Sequence, residues 1–272
     1  MTELSGTDRI AAAFASAHDD GRAALMPYLM GGFPDGPGSA AVIAAYADAG
    51  ADLIELGVPF SDPLADGPVI HAAATRALES GATYKRTLEI GAEVAERVPV
   101  IAMVYANMVL ARGAERFAGD LSSAGLAGAI VPDLPPEEAG EVRAALSAAG
   151  LALIPLIAPT TPDARRAEIC RDATGFVYVV SDTRTTGERD ELPPELGDLV
   201  RAVQADAGVP AAVGFGIGTP EQAAEVGAVA DGVIVGSRLV REVAEASDKV
   251  AAAAAVAEFI TLARGAMSRS VG

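Results

Sequence analysis

The chain has 272 residues, half of them hydrophobic, and a formal net charge of −17. This length is sufficient for one large domain or two small ones with a substantial core. The charge argues against nucleic acids and anionic membranes as partners, because an acidic surface repels them. A single small anion can still bind a local ring of backbone N–H groups.

The N-terminal segment and the cysteine content favour a cytoplasmic protein. Residues 1–22 carry acidic side chains ahead of a short apolar run, which predicts a first helix rather than a secretion signal. No run of about 18 apolar residues without a charge occurs, so no membrane span is expected. The single cysteine, Cys170, cannot form an internal disulfide, which suits a reducing compartment.

Eight apolar runs alternate with Ala-rich segments of helical spacing. Nearly continuous apolar character predicts parallel strands that are covered on both faces. The runs span residues 25–30, 52–58, 98–105, 126–133, 151–159, 176–181, 209–216 and 231–237. One helical segment, 135–150, is predicted to begin at its prolines and glutamates and to stop at Gly150.

Eight strand–helix units predict an α/β fold, a single (β/α)8 TIM barrel that forms one domain over residues 1–272. An extra N-terminal helix and added loop and C-terminal helices are expected, the last an Ala-rich helix near 245–267. An open doubly wound sheet is the alternative, because periodicity cannot show closure. The lack of GxGxxG after the first strand weighs against it.

The second run contains a carboxylate, Glu55, in "LIELGVPFSDPLADGPVI". Its apolar neighbours predict burial, which should raise the pKa of Glu55 toward neutrality, as proton transfer requires. Asp66 follows on a loop that is stiffened by prolines, and it is expected to face the same cavity. Both have structural alternatives, a hydrogen-bonded Glu and an Asp-Gly turn, and Asp62 is interpreted as a turn residue.

Two glycine-containing loops follow the seventh and eighth runs. In "GFGIGTPEQ", Gly214, Gly216 and Gly218 permit close approach of backbone N–H groups to a ligand. Gly236 and Ser237 open a predicted helix whose N-terminus attracts anions. These are the loops that hold phosphate in such barrels, so a phosphate site is predicted. A polar loop within 178–190 is interpreted as a lid, a phosphate contact or a plain solvated loop.

Aldol chemistry through a lysine imine is disfavoured. Only two lysines occur, Lys85 after a turn and Lys249 in a polar helical stretch, and neither is placed for a Schiff base.

Taken together, these motifs resemble those of tryptophan synthase alpha subunits. The stretch 53–68 is the most specific of them, and "PYLMGGFPD", "MVYANMV", "VPDLPPEE", "GFGI" and "GS" follow in the family's order from about residue 8 to 268. The resemblance implies a lyase that cleaves indole-3-glycerol phosphate to indole and glyceraldehyde 3-phosphate. By this matching Glu55 is the catalytic acid–base group, and Asp66 is the catalytic carboxylate that accepts the indole N–H.

The resemblance also assigns the remaining candidate residues, which fall into three groups. They are the phosphate ligands Gly187, Gly216, Gly236 and Ser237, the indole-pocket residues Tyr28, Tyr105, Tyr178 and Phe215, and the loop-coupling residues Asp133 and Thr186. It implies a beta subunit as partner in an α2β2 heterotetramer, with pyridoxal phosphate on that subunit and no cofactor or metal in this chain.

Two departures from the family pattern concern loops. Arg184 stands where the family usually has glycine, which puts closure of the 182–190 loop and signalling to a beta subunit in question. His71 stands where glutamine is usual, and it is interpreted as solvated or capping. The alternatives are a stand-alone indole-releasing lyase, a non-catalytic barrel that activates a beta subunit, and another phosphate-sugar barrel enzyme.

Overall fold

The computed structural model describes residues 4–64, 66–180, 195–214 and 216–268. Within these residues the chain forms nine strands and twelve helices. The strands are β1 Ala24–Met30, β2 Ile54–Gly57, β3 Val100–Met103, β4 Gly128–Ile130, β5 Ala152–Ile154, β6 Leu156–Ile157, β7 Val177–Val180, β8 Ala211–Gly214 and β9 Gly232–Val235.

The helices surround this sheet. They are α1 Gly6–Asp19, α2 Gly36–Asp48, α3 Pro68–Glu79, α4 Tyr84–Ala92, α5 Ala106–Arg112, α6 Ala114–Ser123, α7 Gly140–Ala148, α8 Asp163–Arg171, α9 Leu196–Asp206, α10 Pro220–Gly227, α11 Ser237–Glu245 and α12 Lys249–Met267.

The strands form one parallel sheet in which the first strand pairs with the last. The order is β5-β4-β3-β2-β1-β9-β8-β7-β6. The two ends of this order, β5 and β6, are consecutive pieces of chain separated only by Pro155. β5 pairs with β4, and β6 pairs with β7. The sheet therefore closes into a barrel, which confirms the predicted TIM-barrel fold and excludes the open doubly wound sheet.

The fifth predicted strand, 151–159, is interrupted in the structure. Pro155 has no N–H to donate to a ladder, so β5 ends before it and β6 begins after it. The Pro155 carbonyl still accepts from the Tyr178 N–H at 2.9 Å. β5 pairs with β4 and β6 pairs with β7, so the barrel stays closed despite the interruption. The other seven runs each form one strand; β1 is one residue longer than its predicted run, and the other six strands are shorter than theirs.

The helix predicted over 135–150 begins later than expected. α7 starts at Gly140, and two turns closed by the Pro135 and Pro136 carbonyls precede it. Pro136 disfavours helical geometry at Pro135, which explains the delay. The predicted stop is correct, because Gly150 takes a φ of 72° just after the helix.

The extra N-terminal helix closes one end of the barrel. α1 begins with a capping box between Ser5 and Asp8. Its Ile10 and Phe14 belong to the same buried cluster as the strand residue Leu53, and the Phe14 ring packs on that of Phe176 at 5.6 Å. The helix therefore fills the end at which the strands begin, and the opposite end carries the loops that follow the strands.

The Ala-rich C-terminal helix, α12, is long and apolar enough to cross a membrane by length and composition. It packs on α2, α10 and α11 and buries Val256, Phe259 and Ile260 against them. A core helix passes the same test of length, so α12 carries no argument for a membrane span. That the whole of 1–272 forms one domain stays a prediction.

Candidate active site

Glu55 lies in β2 and points into the barrel mouth. Its register neighbours are Tyr28 on β1 and Ile101 on β3. The residue is 1% exposed, and no donor among the described residues reaches its Oε2 atom. Burial, with a smaller contribution from the charge of Asp66, raises the pKa of Glu55 to about 8. At neutral pH the side chain therefore holds a proton that it can transfer.

Asp66 lies on the loop between β2 and α3, as the sequence predicts. Partial burial raises the pKa of its carboxyl, while a hydrogen bond with Tyr105 and the nearby His71 act in the opposite direction. These two groups favour the ionised form. Pro68 opens α3 directly after the buried Gly67, which anchors the C-terminal end of the loop. Asp66 thus presents a carboxylate within electrostatic reach of the Glu55 proton.

Three tyrosines meet at the two carboxyl groups. Burial raises the pKa of the Tyr28 phenol well above its usual value, and the charges of Asp66 and Glu55 add to the effect. Burial and the charge of Glu55 likewise raise the pKa of the Tyr178 phenol. The structure therefore brings Tyr28, Tyr105 and Tyr178 together around Glu55 and Asp66. Phe215, the fourth predicted pocket residue, lies outside the described residues.

Asp133 connects the loop after β4 to the start of α5. Its Oδ1 atom accepts from the Ala106 N–H at 2.7 Å. α5 has no side-chain cap of its own at Tyr105, so Asp133 supplies the acceptor from a neighbouring loop. Since Tyr105 bonds Asp66, this contact links three successive loops at the mouth. Thr186, the other predicted coupling residue, lies outside the described residues.

Two features of the predicted phosphate site lie within the described residues, namely Gly216 and the N-terminus of α11. Gly216 takes a φ of 83°, a conformation that favours glycine. Gly236 directly precedes α11, whose first residue is Ser237 and whose N-terminal N–H groups have no side-chain cap. The N–H of Gly218, which was expected to face a ligand, donates instead to Gln222 Oε1 at 2.8 Å.

Gly187 and Arg184 lie outside the described residues, so the predicted lid and the effect of Arg184 stay predictions. Asp62 is exposed and accepts from the Ser61 hydroxyl at 2.9 Å, and its interpretation as a turn residue stays a prediction. His71 is exposed on the first turn of α3. In the part of the chain that is described, no group of three or more His, Cys, Asp or Glu side chains could hold a metal ion.

Two strand glycines make room for the tyrosines; sequence reasoning missed Gly57, and it assigned Gly214 to ligand approach rather than to contact with a tyrosine. A Cβ atom at Gly57 would lie 2.7 Å from Cζ of Tyr28, and closer still to its hydroxyl. A Cβ atom at Gly214 would lie 2.6 Å from Cε1 of Tyr178. Glycine within a strand often marks a close approach of another group, so the signal was present in the sequence.

The mouth therefore combines a buried protonated carboxyl, a second carboxyl that accepts hydrogen bonds, an aromatic surround and a helix N-terminus. The first can deliver and recover a proton, and the second can stabilise positive charge on a nitrogen. Aromatic side chains suit a flat apolar ring, and the helix N-terminus suits a small anion.

Comparisons with known proteins point to one family. The family model described as tryptophan synthase alpha chain matches residues 14–269. The tryptophan synthase alpha chain of Prochlorococcus marinus is 47% identical over 241 residues, 88% of each protein. That of Phenylobacterium zucineum is 48% identical over 243 residues, also 88% of each.

Solved structures extend the likeness to the whole fold. A structure of Mycobacterium tuberculosis tryptophan synthase matches with a TM-score of 0.89 at 36% identity and covers 98% of this chain and 100% of its own. A tryptophan synthase subunit alpha from Legionella pneumophila matches with a TM-score of 0.85 at 35% identity and covers 95% and 98%.

Proposed function

This chain belongs to the tryptophan synthase alpha chain family and is a lyase of tryptophan biosynthesis; on that premise we propose that Glu55 and Asp66 carry its reaction. The reaction is the retro-aldol cleavage of indole-3-glycerol phosphate to indole and glyceraldehyde 3-phosphate. The observation that carries the assignment is the raised pKa of Glu55, about 8, beside the carboxyl of Asp66.

Glu55 acts twice in this scheme. Its protonated form transfers a proton to C3 of the indole ring, and the positive charge that results spreads to the ring nitrogen. The Glu55 carboxylate then takes the proton of the side-chain hydroxyl next to the ring. The C–C bond breaks, its electrons return to the ring, and an aldehyde leaves. Glu55 ends in its starting protonation state, so no cofactor or lysine imine is needed.

Asp66 stabilises the charge that Glu55 creates. Its carboxylate accepts the indole N–H, and the hydrogen bond with Tyr105 holds it in place before substrate arrives. Preorganised groups of this kind typically supply about 3 kcal/mol or more of transition-state stabilisation. The glycines Gly187, Gly216 and Gly236, with Ser237, are proposed to bind the substrate phosphate through backbone N–H groups and the α11 N-terminus.

The experiment that tests this proposal is turnover of indole-3-glycerol phosphate by the purified chain, with indole release measured alone and with a tryptophan synthase beta subunit. We expect indole in both cases and faster release with the partner. Equal rates would favour a stand-alone lyase. No cleavage under either condition, with faster beta-subunit turnover, would favour a non-catalytic activator. Cleavage of another sugar phosphate without indole would overturn the function.

Membership of an alpha-chain family implies a beta-subunit partner. We propose an α2β2 heterotetramer in the cytoplasm, with pyridoxal phosphate on the beta subunit. The rim around Asp66 is the proposed contact, because it exposes two large apolar side chains there. Leu64, on the loop after β2, is 81% exposed, and Leu110, on α5, is 66% exposed. A partner that covers both side chains would remove this apolar surface from water, which supports the proposal.

The contact is tested by calorimetric titration of a tryptophan synthase beta subunit with the Leu64→Ser and Leu110→Ser variants. Each should weaken binding about tenfold or more, by loss of buried apolar area. Leu262→Ser is the matched control, since Leu262 is exposed on α12 at the outer surface. Equal affinity of all three variants and the unmodified chain would exclude this rim as the contact.

A further inference from the structure

Tyr28 lies between Gly57, in the neighbouring strand β2, and Gly236, which directly follows the other neighbouring strand, β9. β1, which carries it, pairs with β2 on one side and β9 on the other. On the β2 side its ring crosses Gly57, where a Cβ atom would come within 2.7 Å of Cζ and 3.0 Å of Cε2. On the β9 side a Cβ atom at Gly236 would lie 3.7 Å from the Cβ of Tyr28, which is an ordinary contact.

The backbone of Tyr28 is held firmly. It is part of the β1 ladders, and its carbonyl accepts from the Tyr46 hydroxyl at 2.9 Å. The side chain is 5% exposed, and its hydroxyl contacts Met30 Sδ at 3.9 Å. An added group at Gly57 therefore cannot be accommodated by a shift of the strand. The ring would have to swing about χ1, away from β2 and toward Gly236.

We propose that Gly57 is a positioning residue: by lacking a side chain, it seats the Tyr28 phenol against β2 and keeps the ring out of the volume in front of Gly236. This inference rests on the proposed function, because Gly236 and Ser237 are there assigned to the substrate phosphate. Gly57 itself touches neither the reacting atoms nor the phosphate. It acts through Tyr28, which divides the ring pocket from the phosphate side.

The proposal predicts an effect on binding more than on chemistry. In Gly57→Ala the displaced phenol crowds the phosphate position, so KM should rise about tenfold or more while kcat stays within about threefold. The Ki of inorganic phosphate as a competitive inhibitor should rise in parallel. A merely structural role for Gly57 would lower the amount of folded protein without this selective loss of phosphate affinity.

A double-mutant cycle separates seating of the ring from other effects of the methyl group. Tyr28→Val removes the ring, so Gly57→Ala should change KM by less than about threefold in that background. Gly119→Ala is the control, because a Cβ atom at Gly119, in α6, meets nothing within 4 Å. Thermal unfolding by circular dichroism checks that each variant is folded. If Gly57→Ala alone does not fold, recovery of folding in the Tyr28→Val background still reports the steric coupling.

Equal losses from Gly57→Ala in the unmodified chain and in the Tyr28→Val background would overturn the inference, as would an unchanged KM in Gly57→Ala. Failure of the proposed function gives a different result, namely no indole from the unmodified chain. In that case the same four proteins are titrated calorimetrically with indole-3-propanol phosphate. Weaker binding caused by Gly57→Ala only when Tyr28 is present would support the proposal that Gly57 positions the Tyr28 ring. The same effect of Gly57→Ala with and without Tyr28 would contradict it.

Discussion

Glu55→Gln should abolish cleavage, and its unfolding free energy should increase relative to that of the unmodified chain as pH rises. The substitution keeps the shape of the side chain and removes its titration. In the folded chain burial raises the pKa of Glu55 from 4.5 to about 8. Between those pH values the folded chain retains the Glu55 proton, which the unfolded chain releases. The stabilisation is complete below the lower value and is lost as pH rises through the upper one.

The magnitude follows from the size of the shift. Each pH unit inside the window lowers the unfolding free energy by up to about 1.4 kcal/mol, so the loss from pH 5 to pH 8 is ~3–4 kcal/mol. Glutamine at position 55 has no such proton to lose. The unfolding free energy of the variant minus that of the unmodified chain should therefore increase by ~3–4 kcal/mol over this range.

Urea denaturation followed by circular dichroism at pH 5, 6, 7 and 8 measures this difference. Asp62→Asn is the control, since Asp62 is an exposed carboxyl on the adjacent loop. Its difference from the unmodified chain should not vary with pH in this way. The same Glu55→Gln protein should show no detectable cleavage. If the difference in unfolding free energy between Glu55→Gln and the unmodified chain stays constant with pH, Glu55 is not buried in its protonated form. Turnover of Glu55→Gln within about tenfold of normal would refute the catalytic role of Glu55.

Three other results are expected. Asp66→Asn should lower kcat about 100-fold or more, because the amide cannot stabilise a positive indole nitrogen, whereas Asp62→Asn should leave kcat unchanged; equal effects would remove Asp66 from the site. Gly216→Val should raise KM, since valine is strained at a φ of 83° and crowds the phosphate; Gly21→Val, at a φ of 72° with open space around it, should cost stability alone. The alkaline limb of kcat/KM should fall with a pKa near that of Glu55, about 8, and a kcat/KM that stays constant as pH rises through that value would contradict the assignment.

The sequence determined those features that depend on local pattern. Apolar runs mark strands covered on both faces, so eight strand segments and the position of Glu55 on the second could be predicted from residue order alone. Gly150 stops α7 where it was expected to, because a left-handed conformation there favours glycine. The position of Asp66 between β2 and α3 follows from residue order in the same way, and the stiffness of its loop stays a prediction.

Tertiary structure decided the features that need neighbours distant in the chain. The periodicity of apolar residues does not show whether the sheet closes into a barrel. Closure is shown only by the pairing of β1 with β9 and by the interruption of the fifth strand at Pro155. The hydrogen bond between Tyr105 and Asp66 joins two loops that are distant in the sequence. The contact of the Tyr28 ring with Gly57 likewise joins two strands that are distant in the sequence. The pKa of Glu55 depends on how completely those neighbours exclude water, which is a property of the assembled barrel mouth rather than of any segment in it.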